Sequence, residues 1–236
     1  AYDIGVRLVG SEMCIRDRVR NMSDKLTKMG MPPTLFWGYV GVLIFMMGDG
    51  LELAWIIPYL HDHGLSVQQT AILTTCYGVT IAIGSWLSGV VVEIIGPRKV
   101  MLLGTGLYII GHAIFVGLAI PTMNYNIMIP SYAIRGFGYP LFAYSFLVWI
   151  AYRSPQKRLG AAVGWFWFVF TGGLSVLGSF YSSFAIQLFG HFFTLWTAII
   201  WVLIGTFLAV FVNRDQFIIE ENVTALKNTL VKCLQV

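Results

Sequence analysis

Charge is what this chain has least of. Only 11% of its 236 residues are Asp, Glu, Lys or Arg, against about 25% in a soluble domain. That scarcity excludes an ordinary globular domain and a disordered chain. It also excludes a nucleic-acid partner: the net charge is +4, but the charges punctuate apolar runs and make no basic face. Cysteine is scarce too. Cys14, Cys76 and Cys233 match neither a disulfide framework nor a metal-ligand spacing, so no metal and no bound cofactor is expected. The arrangements of an intramembrane protease are missing as well. Gly84-Ser85-Trp86-Leu87 and Gly178-Ser179-Phe180-Tyr181 do not supply a Gly-x-Ser-Gly nucleophile. Asp49 is the only Asp inside an apolar run, so a paired-Asp protease lacks its second acid. No enzyme is expected.

What is present is apolar length. Hydrophobic residues make up 57% of the chain, and a spanning helix needs roughly 20 of them in a row. Six stretches qualify, at residues 35–60, 67–95, 100–120, 125–151, 160–188 and 192–212. They are too long and too uniformly apolar for barrel strands of about 10 alternating residues. A spanning segment must satisfy its backbone internally, so all six are expected to be helices of an all-α membrane protein.

The first eighteen residues read differently. Leu8-Val9-Gly10-Ser11-Glu12-Met13-Cys14-Ile15-Arg16-Asp17 resembles the conceptual translation of a transposase-type sequencing adapter. Residues 1–18 are therefore set aside as an artefact, as a tag would be, and the gene is expected to be a fragment. Residues 19–34 are then a cytoplasmic lead-in, 35–212 a six-helix bundle, and 213–236 the start of a cytoplasmic linker.

Basic residues orient the spans. Arg20, Lys25 and Lys28 precede span one, Arg98 and Lys99 follow span two, and Arg153, Lys157 and Arg158 follow span four. Arg214, Lys227 and Lys232 follow span six. The opposite loops, at 61–64, 121–124 and 189–191, hold no Lys or Arg. Both ends are thus expected on the cytoplasmic side of a plasma (inner) membrane. The sequon Asn222-Val223-Thr224 falls on that side and is discounted.

Three ionisable residues lie inside spans, where a charge costs about 2.5–3.5 kcal/mol and is functional by default. Asp49 and Glu52 sit in span one, and Arg135 in span four. The i, i+3 spacing puts the two acids on one helix face, extended by Phe45, Trp55 and Tyr59. With about 1.5 Å rise per residue, all three charges fall at similar depth, so Arg135 can reach either acid. Two acids against one base leaves a carboxylate over. Crowded carboxylates at low dielectric hold protons more readily, which is the chemistry of proton-coupled transport. The competing reading is a buried ion pair that only fixes packing.

After span two, Gly89, Glu93, Gly96, Arg98 and Lys99 resemble the Gly-x-x-x-Asp-Arg-x-Gly-x-Arg-Arg loop of the major facilitator superfamily. Glu93 replaces Asp and Ile94 replaces the usual basic residue. Gly89 is expected to permit close helix approach, and Gly96 to turn the chain. Gly48-Asp49-Gly50-Leu51-Glu52, Arg135-Gly136-Phe137-Gly138-Tyr139-Pro140 and Gly164-Trp165-Phe166-Trp167 resemble the polyol permease branch, the ribitol and arabinitol proton symporters. The resemblance implies twelve spans in two six-helix halves with a site between them. This chain holds the first half; the missing C-terminal half is then its main partner, beside the bilayer and a small polyol.

The resemblance leads to specific expectations. Asp49 is the proton acceptor, tuned by Arg135, and Glu52 binds substrate hydroxyls, though the two acids' roles are exchangeable. Arg135, Tyr139 and Trp167 are further substrate contacts. The Glu93/Arg98/Lys99 loop is a cytoplasmic gate. Thr171, Ser175, Ser179 and Ser182 form a small-polar stripe expected more as a packing surface than as a pore lining. His112 is expected to be packed, and His61 and His63 solvated. Two alternatives stand beside symport of a linear polyol. One is transport of another small solute such as a sugar or organic acid. The other is a half-sized, dimerising channel or scaffold.

Overall fold

The computed structural model describes residues 23–213. The segment read as an adapter translation and the linker beyond Asn213 lie outside the described residues. No strand occurs among those described. Helix α1 (Phe36–Asp49) and the short α2 (Ile56–Asp62) make span one, and α3 (Val67–Ile95) makes span two. Span three is α4 (Pro97–Ile114), prolonged by wide turns to Thr122. Span four is α5 (Tyr125–Gly136) followed by α6 (Gly138–Arg153).

Helix α7 (Leu159–Thr171), a π-helical stretch at Gly172–Leu177, and α8 (Gly178–Thr206) form one apolar run, Gln156–Val212, of 57 residues. At about 1.5 Å per residue it would be about 85 Å long if straight, against a hydrocarbon core of about 30 Å. It is not straight. Gly190 has φ 76° and ψ 171°, a conformation open to glycine because it has no Cβ. The rings of Tyr181 and Trp201 lie 5.4 Å apart, where a straight helix would hold them about 30 Å apart. The run therefore doubles back at Gly190, and spans five and six are its two legs.

Span one is not the continuous helix expected from its apolar run. α1 ends at Asp49, a 3-10 turn carries Gly50–Glu52, and α2 starts only at Ile56. Pro58 explains the break. It has no N–H for the Ala54 carbonyl and its ring clashes there, so the helix restarts with Pro58 in its first turn. The predicted shared face of Phe45, Asp49, Glu52, Trp55 and Tyr59 breaks with it. Phe45 stacks in the core on Phe142 at 3.9 Å, whereas Trp55 and Tyr59 pack on His191 at 4.8 and 5.3 Å. Span four breaks too, at Phe137 between Gly136 and Gly138.

The two ends of the bundle match the loop charges. At one end Trp165 donates to the Met29 carbonyl at 3.0 Å, Arg158 donates to the Thr27 carbonyl, and Arg98 donates to the Asn213 carbonyl at 2.8 Å. At the other end lie the Tyr59/His191 contacts and the hydrogen bond from Tyr125 to the Gln69 carbonyl. The described basic loops thus share one end and the loops without Lys or Arg share the other. Spans three and six are tied by Thr105 and Thr206, whose hydroxyls are 2.8 Å apart. His112 adds a second tie, through Nε2 to the Leu195 carbonyl at 2.8 Å. His112 is buried and stacked on Tyr108, the packed histidine expected. His61 is not simply solvated, since its ring contacts the Thr70 hydroxyl at 2.9 Å. His63 is exposed, as expected, with its ring tilted against Tyr59 at 4.1 Å.

Candidate functional site

Both chain breaks bear on one cluster. The Gly50–Glu52 turn leaves Asp49 and Glu52 at the end of α1, and Arg135 sits one residue before the end of α5. Irregular backbone at membrane depth is tolerated only where protein covers it or where it lines a cavity. Here all three charged residues are buried, Asp49 at 5%, Glu52 at 4% and Arg135 at 1% exposure. Close helix approach buries the cluster. A Cβ on Gly111 of α4 would lie 2.5 Å from the Arg135 backbone nitrogen, so only glycine lets α4 lie against α5 at this level.

Arg135 does not choose between the acids. Its Nη2 donates to Asp49 Oδ1 at 2.9 Å and to the Asp49 carbonyl at 3.3 Å. Its Nη1 forms an ion pair with Glu52 Oε1. The expectation of one wholly unpaired carboxylate is therefore corrected: both acids touch the same guanidinium, because the 3-10 turn swings Glu52 towards span four. The excess of negative charge remains. Arg135 is also covered by two rings, Tyr108 at 5.0 Å and Tyr132 at 5.4 Å from the guanidinium carbon. Such cation–π contacts offset part of the desolvation of a buried cation.

Tyr132 is the member of the cluster that sequence reasoning passed over. Its hydroxyl donates to Glu52 Oε1 at 2.8 Å. The available signal was helical spacing: Tyr132 stands three residues before Arg135 and so shares its face. Tyr77 of α3 stacks behind Tyr132 at 4.5 Å.

The other predicted residues make no hydrogen bond or ion pair with the cluster among the described contacts. Tyr139 and Trp167 join an aromatic patch with Tyr144 and Phe170. Ring separations there are 5.9 Å for Tyr139–Phe170, 6.4 Å for Tyr144–Trp167 and 5.4 Å for Trp167–Phe170. Trp167 is 45% exposed. Thr171 and Ser175 are exposed and only Ser182 of the small-polar stripe is buried. The stripe is therefore not the packing surface expected; that role falls to Gly173 and Gly178, which contact the backbones of Leu43 and Gly50.

The loop after span two is at the basic end. Gly96 has φ 83° and turns the chain into Pro97, the first residue of α4. Gly89 departs from expectation. A Cβ there would meet nothing within 4 Å, so no described helix approaches it. Glu93 and Lys99 are exposed. Arg98 faces inward, donating to Asn213 and lying 5.4 Å over the Trp149 ring. Among the described residues no group of three metal-ligating side chains occurs.

A six-helix half with a buried carboxylate–guanidinium cluster and this loop is the arrangement that the sequence motifs implied; the break in span one is not. The Major Facilitator Superfamily model matches residues 38–222. The chain belongs to the Major Facilitator Superfamily. Permeases of this family are transporters, not enzymes, which sets the protease reading aside. It is 56% identical over 199 residues to the alpha-ketoglutarate permease of Bacillus subtilis (strain 168), covering 84% of this chain and 46% of that protein. Two Klebsiella pneumoniae proteins are also similar. The ribitol transporter is 41% identical over 181 residues, covering 77% of this chain and 42% of that protein. The D-arabinitol transporter is 40% identical over 182 residues, covering 77% and 43%. The chain spans about half the length of the curated relatives it matches.

Proposed function

We propose that the full-length protein containing this half is a secondary active transporter. It takes up a linear polyol such as ribitol or arabinitol together with protons, by alternating access. The observation that carries this reading is the buried cluster of two carboxylates on one guanidinium. With all three ionised it bears one net negative charge, which a single proton cancels. The membrane-crossing step then moves a neutral site, whose cost is far lower than that of a charged one. Asp49, Glu52 and Arg135 are the coupling groups in this reading.

The polyol class is supported by the pairing around Arg135. Both acids touch it, so the site presents carboxylates and aromatic faces beside a cation that is already paired. Carboxylates and buried polar groups suit hydroxyls, and the Tyr139/Trp167 patch suits the apolar face of a carbon chain. Glu52, Arg135, Tyr139 and Trp167 are the proposed substrate contacts. A second reading is an organic acid such as alpha-ketoglutarate, favoured by the 56% identity to a permease of that name. Protonation of one acid would free part of Arg135 for a substrate carboxylate.

The Gly89, Glu93, Gly96, Arg98 and Lys99 loop serves as a cytoplasmic gate against the missing C-terminal half, which also covers the exposed Thr171/Ser175 face. The membrane is the bacterial plasma membrane, with both ends of this fragment cytoplasmic. The test is uptake of radiolabelled ribitol, arabinitol and alpha-ketoglutarate by cells expressing the full-length gene, with and without a protonophore. Protonophore-sensitive polyol accumulation is expected. Accumulation of alpha-ketoglutarate alone would replace the polyol with the acid, and accumulation insensitive to the protonophore would remove proton coupling.

A further inference from the structure

Tyr144 stands where three spans meet. It lies on α6 of span four, with its ring stacked on Phe170 of span five at 6.1 Å and 6.4 Å from that of Trp167. Span two reaches it as well. A Cβ on Gly84 of α3 would lie 3.4 Å from the Pro140 Cβ, one turn before Tyr144, so the two helices are in close contact at this level. A long helical side chain leans towards the N-terminus of its helix. That lean brings Tyr144 back to the contact, where its hydroxyl meets the Ser85 side chain. Ser85, Tyr139 and Tyr144 are half-buried and Trp167 is exposed, so a solute has access to this wall.

Proton count fixes the direction of the hydrogen bonds. A hydroxyl has one proton to donate. Ser85 gives its proton to the Ile81 carbonyl, one turn back, at 2.7 Å, a bond open to a serine inside a helix. Ser85 Oγ can then only accept from Tyr144. Tyr144 spends its own proton on that bond, and its oxygen presents lone pairs to the open side.

We propose that Tyr144 reads substrate hydroxyls as a hydrogen-bond acceptor, and that Ser85 is a positioning residue that keeps it one. This rests on the polyol reading above and sharpens it: the wall between spans two, four and five selects solutes that donate. Every hydroxyl of a linear polyol has a proton to give. An ionised dicarboxylate such as alpha-ketoglutarate has none, so its oxygens would face the Tyr144 lone pairs with no proton between them.

Uptake of radiolabelled ribitol and arabinitol by cells expressing the full-length gene, with unlabelled alpha-ketoglutarate as competitor, tests this. Rates are normalised to the amount of each variant in the membrane. Tyr144→Phe keeps the ring and loses the acceptor. Its KM for the polyol should rise about 2- to 10-fold, the worth of one neutral hydrogen bond, with the maximal rate unchanged. Ser85→Ala frees the Tyr144 proton to point at the solute, so alpha-ketoglutarate should compete at a several-fold lower concentration than in the wild type. Adding Tyr144→Phe to Ser85→Ala should abolish that gain, because the freed proton is then gone. A serine that only packs two helices would not produce a gain in competition. An unchanged KM in Tyr144→Phe, or unchanged competition in Ser85→Ala, would overturn the proposal and leave the polyol reading standing. A wild-type protein that accumulates alpha-ketoglutarate and no polyol would overturn both.

Discussion

Gly50 lies between the two acids, and its missing side chain is what lets span five approach them. A Cβ built there falls 1.9 Å from the Leu174 carbonyl oxygen and 2.9 Å from the Leu174 Cα. Neither atom belongs to a flexible side chain, so Gly50→Ala has to part the two backbones. Restoring a contact of about 3.5 Å requires a movement of about 1.6 Å. Overpacking of this kind costs about 1–3 kcal/mol. Because the turn Gly50–Glu52 carries Glu52, the same movement displaces the acid from Arg135 and Tyr132, so coupled transport should fall together with stability. The comparison is Gly106→Ala in α4, where a Cβ meets nothing within 4 Å and alanine is the better helix former by up to about 1 kcal/mol. Thermal unfolding of the purified full-length protein in detergent should show a lower midpoint for Gly50→Ala and an unchanged or higher one for Gly106→Ala. Equal midpoints for the two variants would refute the close approach of spans one and five at this residue.

Three further outcomes are expected. Arg135→Gln strands two buried carboxylates and should cost about 3–5 kcal/mol; adding Asp49→Asn and Glu52→Gln should recover much of that midpoint, and the absence of recovery would mean the cluster is not coupled. Arg98→Ala loses the Asn213 bond and the Trp149 contact, the latter worth about 0.5–2 kcal/mol. It should shift the inward/outward balance in a cysteine-accessibility assay, and an unshifted balance would leave Arg98 only a topogenic role. Single cysteines at His61 and Lys157 should label from opposite sides of intact cells, His61 from outside; labelling from the same side would contradict the proposed orientation.

Much of this protein was legible in one dimension. Apolar runs of spanning length have few folded options in lipid, so six helices followed from length and composition. The alternation of basic and bare loops predicted which ends would meet, and Arg98, Arg158, Tyr125 and His191 lie where it placed them. The rarity of charge inside the spans singled out Asp49, Glu52 and Arg135, because an unpaired charge there is too costly to be incidental. The tertiary structure decided what spacing could not. The i, i+3 rule assumes an unbroken helix, and in span one the helix ends at Asp49, ahead of Glu52, and restarts only at Ile56 with Pro58 in its first turn. Only the resulting turn lets both acids reach one guanidinium. Tyr132 became part of the site because spans one and four are in contact there, a distance of 80 residues along the chain. Gly89 shows the converse. Its motif implied a close neighbour, yet no described helix comes within 4 Å of a side chain there. Patterns along the chain report what each residue costs in lipid; which groups share that cost depends on helices packed from distant parts of the sequence.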